Sequence, residues 1–259
     1  IYGILMKLKD LDKYLKELLK PELYRDFCTN GLNIEGSQTV NRIVTGVSFS
    51  IDLVQEAIQK NANCIIVHHP HGLWDNEARM PVGALAKKLK LMMRHNISLF
   101  AFHLPLDGHP EVGNNVGIAQ ALGCNNYGTF INAGQADVGL LCKFSQSLNP
   151  LELREKITAA FGKTGVQHAL LYGEEKINII AISSGASSGS LLEAKAKGAQ
   201  ALLTGELKEN APIQAREEAM HLFGCGHHRT EVFGPRALGQ RIQTDLGVEV
   251  VFVDIPNPV

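Results

Sequence analysis

The chain lacks the roughly 18 consecutive apolar residues that a membrane-spanning helix needs. It also lacks any CxxC pair: cysteines stand singly at positions 28, 64, 124, 142 and 225. An odd number of scattered thiols in a chain of 259 residues argues against a disulfide framework or a thiolate zinc knuckle, and for a reducing, cytoplasmic setting. An excess of one charge is missing too. Lys and Arg number 25 against 26 Asp and Glu, so no bulk positive charge invites nucleic acid. There is no GxGxxG or Walker pattern to cradle a dinucleotide or triphosphate. The opening lacks signal-peptide order, because its lysines follow the apolar IYGIL instead of preceding it. Met6 is expected to be the native start and IYGIL an addition. What remains is 45% apolar and 20% charged, the composition of a chain with a sizeable core.

That core is written in an alternating rhythm. Leu8, Leu11, Leu15, Leu18 and Leu19 recur at helical spacing ahead of Pro21. Strand-like runs at 43–49, 64–67, 97–103, 138–144, 169–172, 177–183, 200–204, 221–225 and 248–253 follow. Helical segments at 50–60, 81–96, 114–122, 212–220 and 235–246 lie between them, with another opened by Asn149-Pro150-Leu151-Glu152. The pattern predicts an α/β fold of two similar-sized lobes, with mixed sheets covered by helices. The Gly- and Asn-rich stretch at 125–136 and a second break near 205–210 divide it. They leave residues 1–125 plus 210–259 as one discontinuous lobe and 126–209 as the other.

Chemistry gathers where strands end, the usual place for ligands in α/β folds. His68 and His69 close one apolar strand, followed by Pro70, His71 and the single Trp74. Adjacent strand residues face opposite ways, so the pair converges on one site only where the strand breaks. His103 and Asp107 follow a second strand, where Pro105 turns the chain and exposes the aspartate at the sheet's edge. In GHHRTE, His227 is four residues and His228 three residues before Glu231, so helical spacing admits either histidine. Each cluster alone has a plain explanation as a solvated strand end or turn. Three together suit two divalent metals bound by imidazole and carboxylate, with Fe, Mn, Zn or Ni as candidates. The SSGASSG turn at 183–189 offers backbone amides to an anion, and Glu206 is a further polar candidate. His168 and His221 have no partner spacing and read as satisfied or solvated.

The segments IVHHPHGLW, FHLPLDGHPEVGNN, LLTGE, GHHRTE and VFVDIPNPV, with NGLNIEG at 30–36, resemble the NIF-three-like family. Its members are described as GTP cyclohydrolase I type 2 homologues or as dinuclear metal-binding proteins. The resemblance runs from about residue 30 to the last residue. It implies two metals per chain in a cleft at the strand ends, held by His68, His69, Asp107, His227 and Glu231. It leaves His103 and His228 as catalytic candidates beside them. It implies a toroidal homohexamer, a trimer of dimers, acting on a small molecule such as a nucleotide, without membrane or nucleic acid. His71 and His109 depart from the family pattern, and the inserted domain of longer members is missing. The implied activity is hydrolysis by metal-activated water. The alternative is a non-catalytic metal-binding oligomeric scaffold or metal-handling protein.

Overall fold

Leu8, Leu11, Leu15 and Leu19 recur every three or four residues, and the Leu8–Leu19 helix buries all four. It stops where Lys20 turns left-handed (φ 45°) ahead of Pro21. The computed structural model describes residues 6–75, 80–162 and 165–259, so the expectation about IYGIL lies outside the described residues. The chain divides into two compact units. One is Ile1–Leu106 with Gly234–Pro256, the other Asp107–Phe233 with Asn257–Val259.

In the first unit five strands run in the order Glu249–Phe252, Arg42–Ser48, Cys64–His69, Ser98–Ala101, Gly31–Ile34. The first four are parallel and the last is an antiparallel edge. Every residue of Cys64–His69 is buried, which explains why that run reads as continuously apolar. Val44, Ile65, Val67, Leu99 and Ala101 share one face with Leu53, Val54 and Ala57 of the Ile51–Gln59 helix and with Met92 of Gly83–Arg94. Each such large aliphatic side chain contributes about 1.5–3 kcal/mol by leaving water. Ser50 caps the Ile51–Gln59 helix by accepting from the Leu53 amide.

The second unit carries a six-stranded sheet in the order Asn125–Thr129, Leu140–Leu148, Ile177–Ile182, Ala201–Thr204, His221–Gly224, His168–Leu170. Ile177–Ile182, Ala201–Thr204 and His221–Gly224 are parallel, and the remaining pairings are antiparallel. The alternation of a strand sorts its side chains onto two helical layers. Ile180, Ile182, Leu203 and Phe223 meet Ile118, Leu122, Leu153 and Ile157. Ala181, Leu202 and Leu222 meet Leu191, Ala194, Ala211 and Ala215. The Pro150–Phe161 helix has the full capping box of Asn149 and Glu152.

The division falls at 106/107 and 233/234, not at 125/126 and 209/210 as the turn residues suggest. The Asn114–Leu122 helix belongs with the second sheet because Ile118 and Leu122 are buried on it. His221–Gly224 belongs there because it pairs with Ala201–Thr204. Asn125–Thr129, inside the stretch that reads as a linker, is an edge strand of the same sheet. All five cysteines are buried and free, and burial pushes the thiols of Cys28 and Cys225 up to about 12 and Cys64 higher still. Among the described residues no helix is long and apolar enough to cross a membrane.

Candidate metal centre

Parallel strands deliver their carboxyl ends to one edge, and in the first unit that edge gathers histidine. Cys64–His69 includes both His68 and His69, two residues beyond the expected run of 64–67. The neighbouring strand pairs only as far as Val67 with Ala101, so both histidines lie past its last partner on that side. Their rings meet all the same, 4.5 Å apart between centres. His103, two residues past its own strand, brings a third ring 5.1 Å from His68 and 5.6 Å from His69. One ring nitrogen from each of the three lies within 4.8 Å of the others.

Two of these rings are held from behind by oxygen. His68 Nδ1 is 2.9 Å from the Phe102 carbonyl, which can only accept, so Nδ1 carries the hydrogen and Nε2 the lone pair. His103 Nδ1 is 2.9 Å from Asp26 Oδ1. Burial alone would raise the Asp26 carboxyl, but His103, Asn30 and the Leu104 amide outweigh it and hold the group down at about 2. Trp74 walls the cluster, 5.3 Å from His103 and 5.5 Å from His69, and the half-exposed Phe27 stands 5.2 Å from both Trp74 and His103. Behind the loop after His69, the buried Lys88 ammonium donates to the carbonyls of Phe49 (2.9 Å) and His71. His71 is exposed and accepts from the Trp74 indole.

The second unit collects carboxylates. Asp107 lies in a short helix, Leu104–Gly108, and is buried, not exposed at the sheet's edge as the proline turn predicts. The helical turn carries it inward, where its Oδ1 accepts from Ser184 Oγ (2.7 Å) and Asn114 Nδ2 (2.9 Å). The His227–Thr230 helix starts from Gly226 at φ 88°, and Glu231 closes it. His227 Nε2 is 3.0 Å from Glu231 Oε1, and Nδ1 is 2.5 Å from Glu206 Oε1. Burial works against the imidazolium, yet Glu231 and then Glu206 raise His227 to about 9. His228 is buried, and its amide donates to the Val259 carbonyl at 2.9 Å.

Three amides of the SSGASSG turn are taken by side-chain oxygens of the protein itself. Ser184 donates to Asn115 Oδ1, Gly185 to Thr230 Oγ1 and Ser187 to Thr204 Oγ1. The turn instead sets Ser184 on Asp107 and leaves a hollow at Gly185. A Cβ there would lie 2.6 Å from Glu231 Oε1 and 3.2 Å from His227 Nε2, and the backbone is left-handed at φ 63°. His109 caps its own turn, accepting from the amides of Glu111 and Val112. His221 is satisfied by the Glu174 carbonyl and the Gly173 amide, while His168 is exposed. Asp26 is the residue that motif reading missed, since 77 positions separate it from His103.

Imidazoles backed by oxygen, carboxylates held by hydroxyl and amide, and a glycine hollow beside a His–Glu pair fit a hard or borderline divalent cation. The chain is 36% identical over 250 residues to the GTP cyclohydrolase 1 type 2 homolog of Vibrio cholerae, covering 96% of this chain and 98% of that one. It is 34% identical to the Escherichia coli protein of the same name, covering 98% and 100%. Among solved structures it resembles the protein ybgI, described as of unknown function, with a TM-score of 0.91 at 34% identity over 98% of this chain and all of that one. A Thermus thermophilus protein follows at 0.86 and 28%, over 98% and 100%. A family model matches residues 6–258, nearly the whole chain, and the chain therefore belongs to the Duf34/NIF3 (NGG1p interacting factor 3) family.

Proposed function

We propose that the protein is a dinuclear metal-dependent hydrolase, in which His68, His69, Asp107, His227 and Glu231 jointly hold two divalent ions. The observation that carries this reading is the cluster of His68, His69 and His103, ring nitrogens within 4.8 Å of one another, with the Phe102 carbonyl behind the buried His68 as behind a metal-binding histidine. Asp107 and Glu231 would each offer two oxygens to such ions, where a neutral imidazole offers one lone pair.

When bound, such a pair of ions lowers the pKa of a water and polarises the bond that it attacks. The chain's own part is to orient and to move protons. Ser184 and Asn114 fix the Asp107 carboxylate. Glu206 fixes the His227 ring through Nδ1. Trp74 and Phe27 exclude water from one side of the histidines and offer planar surface to a substrate. His103 accepts the proton of the attacking water, and His228 is the second proton carrier. The relatives' name, GTP cyclohydrolase 1 type 2 homolog, makes nucleotides the first substrate class.

The test is a hydrolase screen over nucleotides and small amides, on protein loaded with Mn, Fe, Zn or Ni and checked by elemental analysis. About two ions per chain, with turnover that Glu231→Gln abolishes, is the expected result. Two ions without turnover would leave a metal-binding scaffold. No ions taken up would end the reading. We further propose a cytoplasmic homohexamer. Exposed Val82, Met93, Leu151 and Ile213 are surface that an assembly would cover, and a monomer by light scattering would reject it.

A further inference from the structure

We propose that Asp26 is a positioning residue that holds His103 as its Nδ1–H tautomer and so makes Nε2 the atom that accepts the proton. The inference rests on the hydrolytic reading above and adds to it a residue that none of the metal-ligand motifs contains.

The geometry is closed on every side. The Asp26 side chain is only 2% exposed, and His103 13%. Oδ1 faces His103 Nδ1 at 2.9 Å and also accepts from the Phe27 amide at 2.8 Å. Oδ2 accepts from the Leu104 amide and from Asn30 Nδ2, both at 3.0 Å. Asn30 in turn accepts from the His103 amide at 2.7 Å, so one asparagine ties the carboxylate to the backbone of the residue it orients. Phe27 and Trp74 stand against the imidazole, the second nearly perpendicular to it at 79°. Turning the ring by half a revolution would break the Asp26 bond and bury that carboxylate without it, which is costly. An ionised carboxylate only accepts, so Nδ1 keeps its hydrogen. The neutral ring then has its lone pair on Nε2, on the ring that neighbours His68 and His69.

The step balances without further reagents. An O–H bond of the attacking water breaks, and its electron pair forms the new bond to the electrophilic centre. The proton moves to His103 Nε2, and the ring becomes imidazolium beside the Asp26 carboxylate, which stays unprotonated. The same proton then passes to the leaving group, which departs with the electrons of the broken bond.

Two measurements test this on the full-length protein. The first is the histidine 15N spectrum of the metal-free protein at a pH where the ring is neutral. His103 is expected as Nδ1–H, and Asp26→Ala should shift it toward the Nε2–H form common in free histidine. The second is steady-state kinetics of metal-loaded protein. Asp26→Ala and Asp26→Asn should lower kcat about 10–100-fold, the range for a carboxylate behind a histidine at a metal site. Metal stoichiometry and KM should stay near normal, and Asp26→Glu should restore part of kcat. Because Asp26→Ala also removes the turn's hydrogen bonds, Asp26→Asn is the fold-preserving control. Wild-type His103 found as Nε2–H overturns the proposal, as does a folded Asp26→Asn protein with unchanged kcat. A wild type inert on every substrate overturns the hydrolytic reading and the catalytic half of this one, while the 15N result decides the tautomer separately.

Discussion

In the first unit the ends of the parallel strands carry three imidazoles, His68, His69 and His103. In the second they carry Glu206 and Glu231 around one imidazole, His227, with Asp107 nearby on its own short helix. The two collections bury polarity by different means. Neutral rings need only one oxygen each to set the tautomer, as the Phe102 carbonyl does for His68. Buried carboxylates need several donors or a positive charge, because an isolated anion is expensive to desolvate. Asp107 takes Ser184 and Asn114, while Glu231 takes the raised His227. A cation at the second set would replace the proton that Glu231 and Glu206 favour on His227.

The sharpest way to break this contrast is to remove a ligand from each side. His69→Ala and Glu231→Gln should each weaken metal binding by more than the ~10–100-fold that an outer partner is worth. Titration with competing chelator checks it, and equal affinity in either variant would refute that residue's role. Glu231→Gln should also let His227 titrate closer to an ordinary histidine, which NMR reads directly.

Gly185→Ala tests the carboxylate side without touching a donor. The added methyl falls 2.6 Å from Glu231 Oε1 on left-handed backbone, so a loss of about 1–2 kcal/mol in unfolding free energy is expected, with reduced metal uptake. Normal uptake would show that the hollow is not part of the site.

Asp26 tests the imidazole side through pH. Its folded pKa, about 2, lies below the ordinary 3.8, so its contribution is fully present above the unfolded value and disappears as pH falls through about 2. The shift corresponds to roughly 2 kcal/mol. Urea unfolding of wild type and Asp26→Asn should differ near neutrality and converge between about pH 4 and pH 2. A difference that persists in acid would assign the loss to packing.

The smallest effect is expected at His228. His228→Tyr should leave metal content near normal, whereas His227→Ala should lower it. The reverse pattern would transfer the ligand role from the histidine four residues before Glu231 to the one three before it.

These comparisons also show what could be read from residue order. The parallel strands were legible because 64–67 and 201–203 are apolar runs, and the histidines stood out because His68 and His69 end the first of them. The capping box at Asn149 was legible because all its parts lie within four residues. Asp26 was not, since its bond to His103 spans 77 positions and leaves no periodic trace. Asp107's burial was hidden because Pro105 reads as a turn yet also fits the first turn of a helix. The unit boundaries were misplaced because Gly and Asn mark turns equally well within a sheet and between domains.

The buried thiols give each unit a clock. Cys64 lies in the first sheet and Cys225 just past a strand of the second, and both are kept protonated by burial. Neither reacts with an alkylating reagent until its surroundings open, so the labelling rate of each cysteine reports the opening frequency of its own unit. Adding metal should slow the clock of whichever unit holds the cation.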